Sequence, residues 1–173
     1  MIELLRKRRS IRKFTDEKVS PESIKALTEA ALRSPSSKGS NPWKFILVDD
    51  PDLLNRLSEV KKSGSAFLKN APLAVVVCAE STHSDVWVED CSIAAIIIQL
   101  AAESLGLGSC WIQIRKRPHN DGKTAETYVQ ELLGLPEHIK VASILAIGHP
   151  VESKPPVPVE NLLKESIKYN RWA

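Results

Sequence analysis

Seven consecutive residues, Leu73–Ala79 (LAVVVCA), are apolar at every position, and Lys140–Ile147 is nearly so. A strand with one face in water alternates apolar and polar residues, whereas a strand covered on both faces has no polar side to show. Two such segments require a sheet with cover above and below. The stretches between them supply that cover. Ser20-Pro21-Glu22 has a capping residue, a first-turn proline and a first-turn acid, and Ile24, Leu27 and Ala31 follow as an apolar stripe, which predicts a helix over residues 21–33. Asp50-Pro51 opens another, with Leu53, Leu54, Leu57 and Val60 on one side. Residues 85–105 form a long helix whose Ile93–Ile98 run is apolar all round, and Gly106 ends it. Residues 124–133 form a further helix and residues 2–8 a short one. Trp43–Val48 and the alternating Ser109–Arg115 are the remaining strands, and residues 9–19 read as loop.

Helices and strands thus interleave around one sheet, as an α+β three-layer α-β-α sandwich. Two helices between the strands at 43–48 and 73–79 argue against a doubly wound parallel sheet. No G-x-G-x-x-G follows a strand and no G-x-x-x-x-G-K-[ST] is present, so neither nucleotide-binding fingerprint applies. No repeat interrupts residues 1–173, which read as one domain. Its end, residues 153–173, is an extended arm begun by Pro155, Pro156 and Pro158.

Composition removes several classes. Hydrophobic residues at 43% and charged residues at 26% suit a globular domain. No apolar run approaches the ~18 residues needed to span a bilayer, and no secretory signal is visible, so no membrane partner is expected. Cys78, Cys91 and Cys110 are odd in number and widely spaced, which reads as reduced thiols of a cytoplasmic protein. The four histidines stand apart from them, so no metal site is expected. The net charge of +3 is unevenly placed: residues 1–13 hold six basic side chains and one acidic, while the other 160 hold 18 basic and 20 acidic. That acidic remainder would repel a long polyanion, and no nucleic-acid partner is expected.

Three segments could carry chemistry. In Arg8-Arg9-Ser10-Ile11-Arg12, an extended backbone puts Arg8, Ser10 and Arg12 on one side. Two guanidiniums and a hydroxyl there would clamp a phosphate monoester; the plain alternative is a solvated basic stretch. Pro35–Trp43 offers hydroxyls, an amide and free backbone N–H groups, or is an ordinary helix-to-strand turn. Gly106–Gln113 lets a backbone approach closely, with Trp111 either a core aromatic or a stacking surface. There is no nucleophile elbow and no close carboxylate pair beyond Glu89-Asp90, whose side chains diverge on a helix. No side chain is therefore nominated as catalytic, and a cofactor would have to carry any reaction.

In order and spacing, Arg8–Phe14 (RRSIRKF), Pro35-Ser36-Ser37 with Asn41-Pro42-Trp43, Asn70-Ala71-Pro72, Gly106–Ile112 (GLGSCWI) and Ile147–Pro150 (IGHP) resemble the FMN-dependent nitroreductase family over nearly the whole chain. The resemblance implies a central, mostly antiparallel sheet and a homodimer with FMN in clefts at the interface. It assigns Arg8, Ser10 and Arg12 to the FMN phosphate and ribityl chain, with Arg9 adding backbone contacts, and Pro35, Ser36 and Ser37, from the second subunit, to the flavin ring. Asn41 would reach the ring or ribityl edge, and the backbone of Ile112, Gln113 and Ile114 would lie near the flavin N5. It implies ping-pong hydride transfer through N5 from NADH or NADPH to a small electron-poor acceptor such as a nitroaromatic or quinone. The alternatives on the same scaffold are flavin fragmentation, dehalogenation, or flavin binding without turnover. This chain departs from the pattern at Lys38-Gly39 in the loop, at Gln113-Ile114 after the tryptophan–isoleucine step, and at Val157 and Val159, where the arm lacks a basic phosphate contact. Lys154 stands nearby as a substitute.

Overall fold

The computed structural model describes residues 1–120 and 122–172. Five α-helices, α1 (Ile2–Lys7), α2 (Pro21–Leu32), α3 (Pro51–Ser58), α4 (Trp87–Ser104) and α5 (Ala125–Leu133), accompany four strands: β1 (Trp43–Val48), β2 (Leu73–Glu80), β3 (Gly108–Gln113) and β4 (Ile139–Gly148). The helix starts follow the capping residues. The side chains of Ser20, Asp50 and Thr124 accept from the amides of Ser23, Leu53 and Thr127 at 3.2, 2.9 and 3.0 Å, satisfying N–H groups that a helix start leaves open. Short 3-10 turns at Ser37–Gly39 and Ala66–Asn70 were not legible in the pattern, because three to five residues are too few to show a period.

The sheet order is β1-β2-β4-β3, and every pairing is antiparallel. The two apolar strands are the two central ones, which is why neither shows a polar face. Leu73, Val75 and Val77 of β2 pack with Leu27, Ala31, Ala94, Ala95 and Ile98 of α2 and α4. Ala74, Val76 and Cys78 face the other way, onto Leu54, Leu57, Leu68 and Val129 from α3, the 66–70 turn and α5. The register slips between Val77 and Cys78, whose partners are Ser143 and Val141. The unpaired Ala142 acts as a bulge residue, so Val141 and Ile144, three apart, lie on the same face.

One end of the sheet is opened by glycine. Gly108 and Gly148 are paired across β3 and β4. A Cβ on Gly108 would stand 2.8 Å from Ile11 Cγ2, and one on Gly148 would stand 2.4 Å from Pro72 Cδ and 3.1 Å from Phe14 Cδ1. Both glycines are needed for space. The N-terminal segment crosses here, with the Ile11 amide donating to the Ser109 carbonyl at 3.0 Å and the Thr15 amide to that of His149 at 2.9 Å. Residues 9–19 therefore lack helix and strand, as expected, yet Ile11 and Phe14 anchor them in the core.

Candidate active site

The bridge from Ser10 to Ser109 holds the basic segment extended beside β3, and its side chains sort by twos. Ile11 turns inward onto Gly108, and the Arg9 guanidinium donates to the Pro155 carbonyl of the arm. Arg8, Ser10 and Arg12 all act on the Cys110 thiol. The Cys110 thiol is pushed up by burial; Arg12, a hydrogen bond with Ser10, and the charges of Lys154 and Arg8 pull it back. Arg12 also lies over the Phe67 ring, 5.8 Å from its centroid. Among the described residues neither Arg8 nor Arg12 has a carboxylate partner.

Lys154, at the base of the arm, reaches this cluster. Its Nζ donates to the Ser10 carbonyl at 2.6 Å and stands 3.3 Å from Glu152 Oε1. That same oxygen accepts from the Arg12 amide at 2.7 Å. The Arg12 amide and then Lys154 hold the Glu152 carboxyl below the ordinary carboxylate range. The arm thus straps the N-terminal segment on both sides of Ser10. Lys61 borders the group as well; burial and the nearby Arg117 push its ammonium down, while Cys110 acts to raise it. Lys61 lies three residues beyond the end of α3, in a stretch that looked purely structural, and sequence reasoning missed it.

The second segment forms a separate unit. The Ser36 hydroxyl donates to Asn41 Oδ1 and accepts from the Asn41 amide, each at 2.8 Å. Lys38 and Asn41 take the left-handed conformation, at φ 53° and 48°. Pro35 is exposed, and Ser36 and Ser37 are half-buried. No hydrogen bond or ion pair joins this loop to the arginine cluster among the described residues. In the third segment, Ile112 and Ile114 send their side chains into the core, so these two can offer a ligand only their backbone. Gln113 accepts from Trp111 Nε1 and donates to the Arg115 carbonyl, both at 3.0 Å.

The three cysteines are free and buried. Burial pushes Cys78 and Cys91 up to about 12. A thiol kept neutral by the fold contributes stability that is whole below its ordinary value of 9.0 and is lost as pH rises toward 12. Native protein should resist a thiol reagent at about pH 8 while unfolded chain reacts fully. Its urea midpoint should fall on the alkaline side of 9.0, and Cys78→Ala should remove part of that fall.

The solved FMN-dependent nitroreductase of Clostridium difficile R20291 superposes with a TM-score of 0.97 at 46% identity, over 99% of this chain and 100% of that one. A protein of Archaeoglobus fulgidus provisionally named an NADH dehydrogenase/NAD(P)H nitroreductase is 40% identical over 157 residues, 88% of this chain and 87% of its own. An iodotyrosine deiodinase of Thermotoga neapolitana is 25% identical across 99% of this chain and 98% of its own. The Nitroreductase family model matches residues 5–65 and 58–149. With the sandwich, the glycine pair and the arginine segment all in place, this chain belongs to the nitroreductase family.

Proposed function

We propose that the protein is an FMN-dependent oxidoreductase that takes reducing equivalents from NADH or NADPH and passes them to a small electron-poor acceptor, a nitroaromatic or quinone. The observation that carries this is that Arg8, Ser10, Arg12 and Lys154 all act on the Cys110 thiol, Lys154 through a bond to the Ser10 carbonyl, while among the described residues neither guanidinium has a carboxylate partner. Such a donor set fits a phosphate dianion, which two forked guanidiniums bind through parallel charge-assisted bonds. The bound flavin would supply the hydride chemistry, so no side chain of the protein need be nominated as catalytic. The protein's own part is to hold the phosphate with Arg8, Ser10, Arg12 and Lys154, and to border the ring with Pro35, Ser36, Ser37 and Asn41. The backbone at Ile112, Gln113 and Ile114 completes the edge, and Arg9 fixes the arm.

Residues 1–173 then act as one FMN-binding domain with residues 153–173 as its arm, and the working unit is a homodimer. Supporting this, among the described residues no hydrogen bond or ion pair joins the loop to the arginine cluster of its own chain. Ile93, Ile96 and Leu105 of α4 and its end are exposed, as are Leu162, Leu163, Ile167 and Trp172 of the arm. A cleft of about 440 Å³ between α2 and edge strand β1, lined by Leu27, Ala31, Trp43 and Phe45, can receive an apolar segment of a second copy. The free thiols suit a reducing, cytoplasmic setting. No helix among the described residues is long and apolar enough to cross a membrane.

The test is a flavin absorbance spectrum of purified protein supplied with FMN, before and after anaerobic NADH or NADPH. Bleaching of the flavin bands is expected, followed by their return on adding a nitroaromatic. A protein that takes up no FMN removes the reading. The deiodinase relative motivates one competing reaction: iodide release from an iodinated phenol, without turnover of nitro compounds, would replace the nitroaromatic acceptor.

A further inference from the structure

Asp90 lies one turn into α4, in a helix whose other buried residues are Cys91, Ala94, Ala95, Ile98, Gln99 and Ala102. It is 2% exposed. A buried carboxylate is costly unless donors meet it. Here the Ser37 amide donates to Oδ1 at 2.8 Å and the Ser84 hydroxyl to Oδ2 at 3.1 Å. Ser84 is itself held, accepting from the Val86 amide at 3.3 Å. No cation pairs with Asp90 among the described residues, so its partners are the loop and the start of its own helix.

The loop that it meets needs holding. Lys38 and Asn41 are both left-handed, a conformation strained for residues that carry a side chain, which persists only where the surroundings over-determine it. The Ser36–Asn41 hydrogen bonds, with Gly39 N–H to Ser36 and Ser40 N–H to Ser37 carbonyls, give the loop its shape. They do not say where it stands relative to the body. Among the described residues, the one hydrogen bond from residues 36–41 to another element is Ser37 to Asp90.

We infer that Asp90 is a positioning residue: its carboxylate ties the Ser37 amide to α4 and so sets where the 35–41 loop stands against the flavin ring and the bound acceptor. This rests on the FMN reading above. Asp90 touches neither cofactor nor acceptor; it acts through Ser37.

The test uses Asp90→Ala and Asp90→Asn in the full chain. In Asp90→Ala, amide exchange over residues 34–41 should quicken by roughly tenfold or more, with or without FMN, since a charge-assisted bond is lost. KM for a nitroaromatic should rise about tenfold, while the FMN Kd stays within about threefold because the phosphate end is untouched. Asp90→Asn keeps an acceptor for the Ser37 amide and should recover most of both. Unchanged exchange, unchanged KM, or an Asn variant as impaired as Ala would overturn the inference. If Asp90→Ala does not fold, the Asn variant and Ser84→Ala, expected to fall between wild type and a freed loop in exchange, decide it in the same way. Failure of the FMN reading itself is seen separately, as wild-type protein without flavin absorbance.

Discussion

Arg12→Ala should raise the Kd for FMN by roughly 10- to 150-fold, corresponding to ~1.5–3 kcal/mol for a hydrogen bond to a charged group. The Arg12 side chain stands free of any described carboxylate, above the Phe67 ring, so its removal takes away binding without orphaning an acid. Its backbone amide, which meets Glu152, is unaffected by the substitution. The fold should therefore stand, with an unchanged urea midpoint, and the loss should appear only in flavin titration. Raising salt should weaken wild type more than the variant, because the lost term is electrostatic. FMN affinity equal to wild type would place the phosphate elsewhere, with the Lys61 and Arg117 side as the alternative.

Gly108→Ala should cost stability and flavin together. The φ of Gly108 is one that any residue adopts, so the need for glycine is purely spatial: the new methyl would lie 2.8 and 2.9 Å from Ile11 Cγ2 and Cβ. Overpacking of this kind costs about 1–3 kcal/mol. Ile11 cannot retreat without moving Ser10 and Arg12, its neighbours in the chain, and with them the phosphate donors. A lowered urea midpoint and a several-fold weaker FMN Kd are the expected results. Ile11→Ala in the same chain removes the Cγ contact and should return part of both, so the two substitutions should be less than additive. A Gly108→Ala protein with wild-type stability would show that the N-terminal segment slides freely over β3.

Much of the fold was open to reading because burial leaves a period. The seven apolar residues of Leu73–Ala79 mark a central strand, and the Ser-Pro and Asp-Pro starts mark α2 and α3. The boundaries moved by a residue or two where signals were weak. The long helix begins at Trp87 rather than Asp85, where no side chain caps it, and β3 ends at Gln113 rather than Arg115. The site was legible in part. Alternation put Arg8, Ser10 and Arg12 on one side, and all three act on one thiol, that of Cys110. Lys154 was a substitute by nearness in sequence; its bond to the Ser10 carbonyl is visible only in three dimensions. Asp90, set aside because its neighbour Glu89 diverges from it, turned out to be the anchor of a loop 53 positions away.

The amino-acid sequence by itself determined which segments are helix or strand, that the sheet is covered on both faces, and which basic side chains align. These follow from local periodicity, caps and the geometry of an extended backbone. Only the tertiary structure decided the order β1-β2-β4-β3, the bulge at Ala142, the arm strapped across Ser10 and the tether from Asp90 to Ser37. Those contacts join residues tens to more than a hundred positions apart. A side chain's local pattern reports how deeply it is buried and not which distant partner the strand order will bring to it.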